Sequence, residues 1–177
     1  MSLSPPVLNE SSVVSGFNTF ARTIKSLLLV AVAATSLNVF AGQALATPSE
    51  NEARQFFGEF VAAHNDHNVQ KVKSMLWDSP KMLWFTRGES VLGPDAVVDR
   101  LKEYYKGAWH LQPDMSKFTA TAITDDCVQI MVPIIFTRSL PGQPAHDTTF
   151  LISQTYIRSV DGWRVASIMA LADSSIK

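Results

Sequence analysis

The sequence predicts an α+β domain in which a curved antiparallel sheet wraps an N-terminal helical hairpin and a third helix, forming a cone. Three observations predict it. Apolar residues recur at steps of three and four from Glu50 to Leu76, Gly93-Pro94-Asp95 opens a further segment of the same kind, and beyond Gly107 the period changes to two. Helices first and a strand meander last is an α+β order.

Within Glu50–His64, the residues Ala53, Phe56, Phe57, Phe60, Val61 and His64 share one helix face. The polar NDHN break follows, and Asn68 is placed to cap a second helix, VQKVKSML, with Val69, Val72, Met75 and Leu76 as its stripe and Pro80 as its stop. KMLWFT alternates before the turn-like RGES and the short VL, which predicts a hairpin. In the third helix Pro94 takes the first position, where its missing N–H is not needed. Val97, Leu101, Tyr104 and Tyr105 then face inward, and Gly107 ends the helix. KFTATAIT, CVQIMVPIIFTR, TTFLISQTYIRS and GWRVASIMAL read as sequential antiparallel strands separated by Asp125-Asp126, SLPGQPAH and Val160-Asp161-Gly162. Asp161-Gly162 is a hairpin signal. Pro133 lacks the N–H that a ladder needs, which predicts an edge or a bulge at that point. A sheet folded over the first helix encloses a cavity open at one end, a default ligand site.

The 177 residues divide into a leader, 1–46, and one domain, 47–177. Basic Arg22 and Lys25, the apolar run LLLVAVAATSLNVFAG and the small-x-small site Ala44-Leu45-Ala46 are the three ordered parts of a secretory signal peptide. Cleavage after Ala46 makes the domain periplasmic or secreted, with no stable membrane insertion. Retention as an anchor is the rival reading, because Ser26 to Ser49 carries no charge, although Ser36, Asn38, Gln43 and Pro48 dilute the run. No Cys precedes Thr47 to take a lipid, and Arg22 lacks the partner of a twin-arginine signal. Met1–Ala21 is longer than a usual n-region and is excluded from the domain. A domain of this size buries a core without covalent staples. It must do so, since Cys127 is the only cysteine and no internal disulfide can form. Setting aside Glu10, Arg22 and Lys25, the signs are dispersed and nearly balanced. Nucleic acid is therefore not an expected partner, because phosphate binding needs a concentrated basic face.

FFGEFVAAHNDHNVQKVKSML, then a strand, then VLGPDAVVDRLKEYYKG, and finally DGWRVASIMALAD resemble the nuclear transport factor 2-like superfamily over nearly all of residues 47–177. The resemblance implies a cystatin-like roll and homodimerisation through the open sheet. Its bacterial branch includes SnoaL-like cyclases, ketosteroid isomerases, limonene epoxide hydrolases and exported proteins, so fold is implied far more narrowly than function. The positions that match the isomerases' tyrosine, aspartate base and second acid are Phe60, Trp84 and Gln154. None is acidic and none is a phenol, so enolisation by that mechanism has neither its base nor its oxyanion donor. The hydrolases' Asp-Arg-Asp pattern is absent from the predicted strands as well.

Several residues remain as candidates. His64, Asp66 and His67 are close in sequence, yet the NDHN break separates them, and a polar turn at His67 and Asn68 is favoured over a metal site; no metal or cofactor is expected. His64, on the apolar helix face, is read as a satisfied core histidine, with a base pointing into the cavity as the alternative. Trp84 is read as an aromatic wall where relatives carry a carboxylate, with plain core packing as the alternative. Gln129 shares parity with Met131, and Gln154 and Tyr156 share parity with Phe150 and Ile152, so these three polar residues are read as pocket lining, with a solvated or dimer-covered face as the alternative. Trp109 and His110 are read as a surface connection that can also line the mouth. Arg138, Arg158 and Arg164 are read as solvated strand ends, and Asp78 and Glu89 as solvated turn residues. No phosphate loop, nucleophile elbow or zinc spacing occurs.

Three functions are compatible with this reading. The first is an exported domain that binds a small apolar ligand in a pocket of Phe57, Phe60, His64, Trp84, Gln129, Gln154 and Tyr156. The second is a SnoaL-like isomerase, cyclase or hydratase using His64. The third is a homodimeric protein-interaction module.

Overall fold

The computed structural model describes residues 47–172, and the leader with its boundary after Ala46 lies outside them. Helix α1 runs Pro48–Asn65. It starts two residues before Glu50 because Thr47 and Glu50 form a capping box: the Glu50 amide donates to the Thr47 hydroxyl at 3.3 Å and the Thr47 amide to the Glu50 carboxylate at 2.7 Å. Its buried stripe includes Ala53, Phe57, Phe60, Val61 and His64. His67, at φ 52, makes the turn, and the Asn68 side chain accepts from the Lys71 amide at 3.0 Å to start α2, Val69–Met75. That helix stops short of Pro80, since Leu76 is extended and bridges Val165, and the Trp77 amide donates to the Val165 carbonyl.

Strands β1, Leu83–Thr86, and β2, Glu89–Leu92, form a hairpin. Its two-residue loop, Arg87-Gly88, has φ of 52° and 80°, the paired positive values of a type I′ turn. Gly93, at φ 82 and ψ 151, precedes α3, Pro94–Tyr104. That backbone conformation is essentially restricted to glycine, so the Gly-Pro signal marks a real geometric need.

Beyond α3 the predicted surface connection is instead a strand, β3, Trp109–Pro113. Trp109 and Leu111 pack against the core while His110 and Gln112 alternate outward. A 3-10 turn at Met115–Lys117 leads to β4, Thr119–Thr124, then β5, Cys127–Arg138, β6, His146–Ser159, and β7, Gly162–Ala172. The sheet order is β2-β1-β7-β6-β5-β3, with β4 beside β3 along β5. All neighbours are antiparallel except β1 and β7, which pair in parallel with Trp84 opposite Ile168. The sheet is therefore mixed, not wholly antiparallel. The parallel pair arises because the chain returns to β1 from the far end of the meander, bringing β7 alongside in the same sense.

Pro133 lies in a central strand, at neither an edge nor a bulge. β3 pairs with Ile134–Arg138 and β4 with Cys127–Met131, so Pro133 falls at the changeover between them. Its carbonyl accepts from the Asp114 amide on that side, which turns the missing N–H toward the gap, where no ladder bond is lost.

Alternation divides the sheet into two faces. Val128, Ile130, Val132, Ile134, Gln154, Tyr156, Val165 and Ile168 are buried against α1. Each such apolar side chain contributes about 1.5–3 kcal/mol on burial. The opposite parity carries Met131, Ile135, Met169 and Leu171 on the outer face.

Candidate functional site

The wide end of the sheet and the C-terminal ends of α1 and α3 enclose a chain of three adjoining chambers. The innermost, about 60 Å³, is walled by Phe57, Phe60, Val61 and His64 of α1, by Trp84 and Leu111, and by Ile134, Ile152, Gln154 and Ile168 of the sheet. A middle chamber of about 70 Å³ shares Trp84, Ile134 and Ile152 with it and adds Phe136, Phe150 and Ala170. The outer chamber, about 250 Å³, is bounded by Trp84, Tyr104, Trp109 and Phe136, with Arg87, Arg138 and His146 among its polar groups. Against the roughly 300–1,000 Å³ of drug-sized sites, this space suits a small molecule.

An aromatic wall fixes the shape. The Trp109 ring stacks on Tyr104 at 5.4 Å and meets Phe136 edge-on at 4.5 Å, and Trp84 meets Tyr104 edge-on at 6.1 Å. Asn65 holds β3 to the end of α1 through both of its amide atoms: Nδ2 donates to the Leu111 carbonyl at 2.9 Å, and Oδ1 accepts from the Leu111 amide at 2.8 Å. At the rim, the Ala108 and Ser139 backbones approach so closely that a side chain at Gly107 would run into the Ser139 carbonyl. Gly107 thus serves the closure of the rim; α3 ends earlier than expected, at Tyr104 with Tyr105 as its cap, and Gly107 lacks the positive φ of a helix-ending glycine.

His64 is 5% exposed. Burial holds its pKa down at about 3, and the charge of His67 adds to the shift. Its Nδ1 lies 2.7 Å from the Tyr105 hydroxyl, whose own pKa burial raises far above the usual phenol range. A phenol is the better donor of such a pair, so the neutral imidazole keeps its proton on Nε2, which has no protein partner among the described residues. A group with so low a pKa is a poor proton acceptor at neutral pH. His64 is accordingly a neutral residue of the chamber wall. His67 is not joined to it: its Nε2 contacts the Trp109 carbonyl at 3.0 Å, and its ring stacks on Tyr105 at 4.6 Å. No group of three or more metal-binding side chains occurs among the described residues.

Of the residues read as pocket lining, Phe57, Phe60, His64, Trp84 and Gln154 converge on the innermost chamber. Tyr156 stands behind it, fully buried, its hydroxyl donating to Gln154 Oε1 at 2.6 Å. That bond fixes the Gln154 side chain behind the apolar wall. Gln129 lines none of it. The residue lies on the outer face, where Nε2 donates to Ser153 Oγ and Oε1 accepts from Thr155 Oγ1 at 2.8 Å.

A helical hairpin, a third helix and a mixed, open sheet curved around one cavity define a known architecture. No protein-family model matches the sequence, and no curated protein matches it. Solved structures do. A nuclear transport factor 2-like superfamily protein from Salmonella enterica serovar Typhimurium superposes with a TM-score of 0.62 at 12% identity, covering 72% of this chain and 94% of that one. The fold is that of the nuclear transport factor 2-like proteins. A nuclear transport factor 2-like protein from Cytophaga hutchinsonii has a TM-score of 0.59 at 17% identity, over 69% of this chain and 96% of its own. One with a cystatin-like fold from Novosphingobium aromaticivorans has a TM-score of 0.55 at 14% identity, over 70% and 81%. At these identities the nuclear transport factor 2-like fold is shared and the site residues must be judged on their own chemistry.

That chemistry includes groups the sequence did not mark. Leu111 lines the inner chamber, and Asn65 and Tyr105 support it from behind through their bonds to Leu111 and His64. Arg158 pairs with Glu52 at 2.6 Å and Asp126 at 3.3 Å, and Arg164 with Asp161 at 3.6 Å, all at the surface. Arg138 has no such carboxylate. Its Nε and the Trp109 indole Nε1 are buried without a hydrogen-bond partner among the described residues, and each unpaired buried donor costs about 1–3 kcal/mol.

Proposed function

We propose that this is an exported, periplasmic or secreted domain that binds a small, mainly apolar molecule in the chambered cavity and performs no acid–base chemistry on it. One observation carries the reading. The innermost chamber is walled by apolar surface, its two polar residues, His64 and Gln154, are uncharged, and no carboxylate is among its lining residues. Such a wall holds a ligand by apolar contact, and it supplies no group able to take or return a proton at neutral pH. His64 as the base of an isomerase, cyclase or hydratase is disfavoured by its burial and its lowered pKa.

Thermal unfolding of the protein against a collection of small apolar metabolites tests the proposal, with mass spectrometry of each ligand after incubation. Binders that raise the melting temperature and are recovered unchanged support it. Turnover that disappears in His64→Gln contradicts it.

The protein is further proposed to pair with a second copy through the outer sheet face. Phe85, Met131, Ile135, Met169 and Leu171 are 37–42% exposed there, an apolar surface larger than scattered single residues make. Gln129, Ser153, Thr155 and Ser167 link into an uncharged hydrogen-bond network among them. The outward side chains of Cys127–Ile135, Leu151–Ile157 and Ser167–Leu171 include no charge.

A further inference from the structure

We propose that the ligand of this cavity carries a carboxylate, held at the cavity mouth by Arg138 and Arg87. The inference rests on the binding reading above and names the chemical class of the ligand.

Partnering among the arginines is sharply divided. Arg54 donates to the Met115 and Phe118 carbonyls, Arg100 pairs with Glu89, Arg158 with Glu52 and Asp126, and Arg164 with Asp161. The side chains of Arg87 and Arg138 make no hydrogen bond or ion pair among the described residues. Arg138 has a single ring contact, its guanidinium 6.0 Å from the Phe136 centroid. Both unpartnered arginines line the outer chamber, and both line the middle one. The only two buried side-chain nitrogens without a partner among the described residues, Arg138 Nε and Trp109 Nε1, belong to residues lining this same outer chamber.

No Asp or Glu lines the outer chamber to neutralise them, whereas His146 does line it. Asp147, the next residue, is engaged elsewhere, accepting from the Thr137 hydroxyl at 2.6 Å. The type I′ turn sets Arg87 at the rim, opposite the end of β5 that carries Arg138. A guanidinium fork matches a carboxylate in two parallel hydrogen bonds. Inward, the arginines give way to Ile134, Phe150 and Ile152. A free inorganic anion would leave those walls unused, whereas an organic acid with a short apolar body fills them while its head stays at the mouth.

Calorimetric titration with 3-phenylpropanoate and with its uncharged twin, 3-phenylpropanamide, tests the assignment. The acid is expected to bind at least tenfold more tightly. Arg138→Gln should remove that preference, weakening acid binding far more than amide binding, and Arg87→Gln should reduce the preference in the same direction. Equal binding of acid and amide overturns the carboxylate and leaves the binding reading standing. A preference that survives in both variants overturns the role of these arginines. If neither probe binds, and 3-phenylpropan-1-ol does not bind either, the carboxylate and the binding reading fall together.

Discussion

The Tyr105 hydroxyl and His64 Nδ1, 2.7 Å apart, close a contact between the ends of α3 and α1 that fixes one wall of the cavity. Each partner is expensive to bury alone. Tyr105→Phe leaves the His64 nitrogen unpaired and is expected to destabilise the protein by about 1–3 kcal/mol. Urea denaturation at pH 7.5 measures it, and an unchanged midpoint contradicts the bond.

Protonation of His64 is coupled to folding. Its pKa falls from 6.5 to about 3 on folding, so between those values the unfolded chain binds the extra proton. Stability contributed by the neutral imidazole is complete above the unfolded value and is lost as pH falls toward the folded one. The slope approaches about 1.4 kcal/mol per pH unit, or about 2 kcal/mol between pH 7 and pH 5. His64→Gln should flatten that part of the profile, and an equal loss in both proteins contradicts the assignment.

Rim closure depends on Gly107. A methyl group there meets the Ser139 carbonyl, and Gly107→Ala is expected to destabilise the protein by about 1–3 kcal/mol while weakening ligand binding at the mouth. Gly142→Ala is a useful contrast because its Cβ has open space, although its φ of 75° adds a backbone cost of its own. A crystal structure of Gly107→Ala shows whether the rim has moved.

Pairing through the outer face is tested by light scattering. Met131→Glu and Ile135→Glu place charges on that face, and each should convert a dimer to a folded monomer. Far-UV circular dichroism should be unaltered. A wild-type protein that is monomeric at high concentration contradicts the proposed interface.

Local signals made the helices legible. The Thr47 and Glu50 pair, Asn68 and Gly93-Pro94 satisfy or avoid specific backbone donors, and chemistry of that kind is written in neighbouring residues. β3 was missed although WHLQP alternates, because five residues between Gly107 and a proline give too short a pattern to separate from a loop. The parallel pairing of Trp84 with Ile168 is set by two segments far apart in the chain and leaves no local trace.

Parity explains the fate of Gln129. CVQIMVPIIF is apolar on both faces, so alternation groups its residues without saying which group is inside. Gln154 and Tyr156 fell inside and Gln129 outside. The arginines illustrate the same limit: Arg138, Arg158 and Arg164 look alike at strand ends, and only the fold shows that two find carboxylates and one does not.

Diffraction from crystals soaked in 3-(4-bromophenyl)propan-1-ol addresses the cavity most directly, since bromine is located by its anomalous signal and the probe carries no charge. The account predicts a bromine peak in the inner chambers, among Phe60, Ile134 and Ile152, with a raised melting temperature in solution. An empty cavity at saturating probe, with no thermal shift, would contradict it.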